Sequence, residues 1–191
     1  MRGLLIASFL LAGLTPSWGA SWPNKTPPLR PVAITRGATA DNTCPSTRSI
    51  KEKIQAIRET YAHINQQQKS YQILKMPLKD APAGGEATAY FDAERLVKLV
   101  KIYHTATGKR RIEYYIENGE LRFVFDVIMD VDDAMTGRYL VKKNRYYLFC
   151  GQMIRWLNAD KQAVPVDSEL FLDMAELWER EARKILHFST P

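Results

Sequence analysis

The run Arg110-Arg-Ile-Glu-Tyr-Tyr-Ile-Glu-Asn-Gly-Glu-Leu-Arg-Phe-Val-Phe-Asp-Val-Ile-Met129 decides the reading of the fold. Asn118-Gly119 sits between two alternating apolar segments, and Asn-Gly supplies the two positive-φ residues that a type I′ hairpin turn requires. A two-residue turn places Ile116 opposite Leu121, Tyr114 opposite Phe123 and Ile112 opposite Phe125. These six make one apolar face. The other face shows Tyr115, Arg122 and Val124 among Glu113, Glu117 and Glu120. A slip of one residue would exchange the faces, so turn and pattern agree on one register.

Working outward, Arg145–Phe149 and Gln152–Leu157 flank Cys150-Gly151 as a second hairpin. Upstream, strands are expected at Ser70–Leu78, Thr88–Phe91 and Arg95–Thr105. In the last of these, Lys98-Leu99 breaks the alternation and marks a bulge. Asp130–Gly137 reads as an acidic loop. Ser49 and Glu52 form a capping box before a stripe of Ile50, Ile54, Ile57, Tyr61 and Ile64, which predicts a helix. Asp167 or Ser168 caps a last helix, which buries Leu170, Met174, Leu177, Trp178, Ala182 and Ile185. The order of helix, six or seven strands, and helix predicts an α+β fold. Its antiparallel meander sheet is flanked by an N-terminal and a C-terminal helix that cover one face.

Two segments echo one another: Ala89-Tyr90-Phe91-Asp92 before Leu96, and Tyr114-Tyr115-Ile116-Glu117-Asn118-Gly119 before Leu121. On these residues, stretch 88–157 resembles uncharacterised exported bacterial proteins whose strands repeat Tyr-Tyr-x-x-Asn-Gly-x-Leu, and is similar to MORN-type or inhibitor-like meander modules. The resemblance implies a meander and assigns no functional residue.

The N-terminus carries an address. Arg2 precedes an apolar run, Leu4–Leu14, that is too short to span a bilayer, and Pro16 with Ser17, Gly19 and Ala20 follows it. Residues 1–20 read as the signal-peptide region, with cleavage expected after Gly19 and less usually after Ala20. Residues 21–45, with Pro23, Pro27, Pro28, Pro31 and Pro45, read as a flexible linker. A single domain fills 46–191. No cysteine comes directly after the apolar run, the first being Cys44, so a lipid anchor is not expected, and neither is a transmembrane segment in the mature chain. An even cysteine count in an exported chain implies a disulfide, here Cys44–Cys150.

The formal net charge is +6, with basic clusters at Lys109–Arg111 and Lys142–Arg145. Outside the cytosol such clusters suit an acidic protein or an anionic envelope component rather than nucleic acid. No catalytic motif is present: there is no Gly-x-Ser-x-Gly elbow, no P-loop and no Cys-x-x-Cys. His63, His104 and His187 lack zinc spacing. Asp126, Asp130, Asp132 and Asp133 are the best calcium candidates, but lack the glycine and glutamate of an EF-hand. No catalytic residue, metal ligand or cofactor is expected. The expectation is an exported, non-enzymatic binding module whose uncovered sheet face presents Tyr115, Arg122, Lys142, Lys143 and Arg145. The alternatives are a periplasmic hydrolase of a cell-envelope polymer, or a carrier of a small apolar ligand.

Overall fold

The computed structural model describes residues 47–79, 81–133 and 136–186, which lie in one unit, Thr43–Pro191. Cys44, His187, the signal peptide and the linker lie outside the described residues. α1 spans Ile50–Gln66, and its start is the expected capping box: Ser49 Oγ accepts from the Glu52 amide at 3.3 Å while the Ser49 amide donates to Glu52 Oε2 at 2.7 Å. A 3-10 turn at Gln68–Ser70 leads into β1 (Gln72–Pro77), β2 (Gly85–Asp92), β3 (Arg95–His104), β4 (Gly108–Glu117), β5 (Glu120–Asp133), β6 (Arg138–Phe149) and β7 (Gln152–Leu157). α2 spans Glu169–Leu186, and Ser168 Oγ accepts from the Phe171 amide at its start. The strands pair in chain order as one seven-stranded antiparallel meander. This is the α+β architecture expected.

Three hairpins share one construction. The turns Ala93-Glu94, Asn118-Gly119 and Cys150-Gly151 each begin with a positive-φ residue, and the two glycines supply the second positive φ in their turns. Two pairs beyond each turn the register slips by one residue, and Val97, Arg122 and Ile154 are the extra residues. The segments read Tyr90-Phe91 to Leu96, Tyr115-Ile116 to Leu121 and Tyr147-Leu148 to Met153. The echo is therefore a structural repeat with a third copy.

The bulge at Arg122 revises the expected faces, because a bulge moves every later residue to the opposite side. Ile116 does face Leu121. Beyond that, Tyr115 faces Phe123, Tyr114 faces Val124 and Ile112 faces Asp126. One row across the sheet runs Tyr90, Lys98, Tyr115, Phe123, Tyr147 and Arg155; the next, on the opposite side, runs Ala89, Leu99, Tyr114, Val124, Tyr146 and Trp156. α1 lies on the first row and buries Ile54, Ile57 and Ile64 against Tyr115, Phe123 and Tyr147. α2 lies on the second, where Trp178 meets Tyr146 and Tyr114 at centroid distances of 5.0 and 6.0 Å. The helices therefore cover opposite faces, not one. Each has a single apolar stripe, and a sheet with two apolar rows gives each stripe its own partner.

Candidate binding surface

Both helices sit over the turn end of the sheet, while β4, β5 and β6 run on past them. On the α1 side, the next row contains buried Val100 and Glu113 and half-buried Phe125 and Arg145. Exposure then takes over. Arg111, Val127 and Lys143 stand side by side, followed by His104, Lys109, Met129 and Val141, and then Val131 and Tyr139. Arg111, Lys109, Lys143, His104, Tyr139 and Val141 are exposed. This is a mixed basic and apolar face on the far ends of three strands. From Tyr115 to Lys109 along β4 is about 20 Å at the usual strand rise.

A buried polar network marks the border. Lys98 and Glu113 have side chains only 2% and 7% exposed, with Lys98 Nζ 3.1 Å from Glu113 Oε2. Lys98 also donates to Asn65 Oδ1 at 2.8 Å and Gln68 Oε1 at 3.1 Å, so its three protons all have partners. Tyr115 donates to Glu113 Oε2 at 2.6 Å. Burial, and then that hydrogen bond to the carboxylate, push the phenol pKa well up, so Tyr115 stays a neutral donor. Burial pulls the Lys98 ammonium pKa down, against the pull of Glu113. Arg111 reaches the other carboxylate oxygen at 3.1 Å and links the network to the exposed face. Asn65 and Gln68 belong to the end of α1 and the turn after it, so the network fixes where α1 stops.

The five expected contact residues separate. Tyr115 is 1% exposed, beneath α1 rather than on an open face, because its ring completes the aromatic row. Arg122 lies at the turn end, held by Glu120 at 2.7 Å and Glu117 at 3.5 Å and stacked on Phe149. Lys143 and Arg145 lie on the α1-side face, and Arg145 stacks on Phe125 at 5.3 Å. Lys142 lies beside Ile128 on the α2 side, since neighbouring strand residues point to opposite faces. Lys109 and Arg111, read before only as a nearby charge cluster, join Lys143 and Arg145. Lys98 and Glu113 were missed, although the break in alternation at Lys98 was their signal.

Asp126, Asp130 and Asp132 do not converge on a metal site. β5 continues through Asp130 to Asp133, so the first half of the expected acidic loop is strand. Asp126 is buried and accepts two hydrogen bonds from Arg110, both at 2.9 Å. Asp132 pairs with Arg138 at 2.7 Å. Among the described residues, no group of three or more His, Cys, Asp or Glu side chains could hold a metal ion.

The chain matches no protein family, no curated protein and no solved structure. The site therefore has to be read from its own chemistry. A cavity of about 420 Å³ opens at the turn end, with Ile64, Leu96 and Ile116 inside and His63, Asp92 and Glu117 around it. Two of its three carboxylates are engaged: Asp92 pairs with Arg95 at 3.3 Å, and Glu117 accepts from Thr60 at 2.9 Å, while Glu94 also lines it. Among the described residues, no helix is long and apolar enough to cross a membrane.

Proposed function

We propose that this protein is an exported, non-enzymatic binding module that takes an acidic protein or an anionic envelope component on the far, α1-side face of β4, β5 and β6. The observation that carries the reading is the row Arg111, Val127 and Lys143 beside Lys109, Met129 and Val141 where the helix coverage ends, with Arg111, Lys143, Lys109 and Val141 exposed and Val127 and Met129 half-buried. Three basic side chains alternate there with three apolar ones. The charges speed encounter with an anionic surface, and the apolar groups supply contact area once it docks. A photo-crosslinking residue at Val141 is expected to capture the partner, while one at exposed Leu172 on α2 captures nothing. Equal capture at the two positions, or none at Val141, would contradict the reading.

Export rests on the N-terminal run Arg2 to Ala20, and the even cysteine count is consistent with it. Cys150 stands at the β6–β7 turn, and the proposed Cys44–Cys150 bond ties the segment before α1 to that turn. Alkylation of the unreduced protein from its native compartment is expected to modify neither cysteine. Two adducts by mass spectrometry would count against both the bond and the address.

A further inference from the structure

On the α2 side, at the β1–β3 end of the sheet, the floor is made of small residues. Ala87 stands between Met76 and Lys101, and Ala89 between Leu74 and Leu99, whereas the row of Ala89 goes on to the larger Tyr114, Val124, Tyr146 and Trp156. Only the last turn of α2 reaches this corner, and a cavity of about 250 Å³ remains between Ala87, Leu99, Met76, Leu78 and Ile185. Its mouth carries three lysines, Lys79, Lys101 and Lys184. One carboxylate, Glu181, serves two of them, at 3.5 Å from Lys101 and 2.7 Å from Lys184. Lys101 is 17% exposed and also stands over the Tyr114 ring at 5.5 Å, so its charge is held at the mouth rather than swung into solvent.

We infer that this corner binds the acyl chain of a free, single-chain fatty acid, with the ligand carboxylate among Lys79, Lys101 and Lys184. A cavity of this size is below that of a drug-sized site, which suits one unbranched chain rather than a fused ring system. The lining takes the methylenes out of water, and an anion at the mouth balances an excess of two positive charges among the described residues: three lysines against Glu181. The inference does not rest on the proposed contact face, which lies on the other side of the sheet.

Isothermal titration of the mature chain with decanoate, decanol and decylammonium tests it. Decanoate is expected to bind about tenfold or more tightly than decanol, and decylammonium weakest of the three. Lys79→Glu with Lys184→Glu, both exposed, should invert the order of decanoate and decylammonium. Ala87→Leu, checked for a native circular dichroism spectrum, should weaken all three by filling the floor; if it does not fold, the lysine variant alone decides. Equal affinity for the three compounds, absence of decanoate binding, or an order unchanged by the lysine reversal would overturn the inference.

Discussion

Lys98→Met is expected to lower stability by about 3–5 kcal/mol, because removing one partner of a buried ion pair leaves the other charge uncompensated. Glu113 would then keep only Arg111, which reaches it from the exposed face, and Tyr115. Asn65 Oδ1 and Gln68 Oε1 would lose the ammonium that joins them to β3. Adding Glu113→Gln to Lys98→Met should recover part of the loss, since the stranded carboxylate is gone. The readout is the urea midpoint at constant slope. Strict additivity of the two single losses would mean that the pair does not act as a unit.

Trp178→Ala and Phe123→Ala are each expected to cost about 3–5 kcal/mol. Trp178 fills the α2 side against Tyr114 and Tyr146, and Phe123 fills the α1 side against Tyr61, Tyr115 and Tyr147. The two share no ring partner, and the sheet lies between them. Their losses should therefore add to within about 0.5 kcal/mol, and the double variant should be largely unfolded at room temperature. A single-faced core would instead make the second substitution cheaper than the first.

The elements legible in the sequence are those fixed by local chemistry. Asn118-Gly119 and Cys150-Gly151 needed only their positive φ, and Ser49 with Glu52 needed only its own first turn. The seven-stranded order followed from short links between alternating segments. What escaped was the consequence of one extra residue. Counting back from the turn assumes an unbroken ladder, and Arg122 breaks it, which carries Phe123 to the α1 side and buries Tyr115 beside it. A bulge is selected by what both faces must bury, and that is not visible in one hairpin. The repeated Tyr90, Tyr115 and Tyr147 were the visible trace of it. Lys142 and Lys143 were read as one charge cluster, although a period of two already divides them between faces. Lys98 and Glu113 look like surface residues in sequence, because burial of an ion pair depends on Asn65, Gln68 and Tyr115 arriving from elsewhere.

That division of Lys142 from Lys143 provides the most direct test of the binding face. Co-sedimentation of the purified mature chain with isolated cell-envelope fragments, at low and high salt, would be measured for three proteins. The wild type should sediment at low salt and be released at high salt, where exposed charges are screened. Lys109→Glu with Lys143→Glu, on the α1-side face, should stay in the supernatant with an unchanged melting temperature. Lys142→Glu, next in sequence but on the opposite face, should sediment like the wild type. If the three proteins behave alike, or if Lys142→Glu is as damaging as the pair, the α1-side face of β4, β5 and β6 is not where this protein binds.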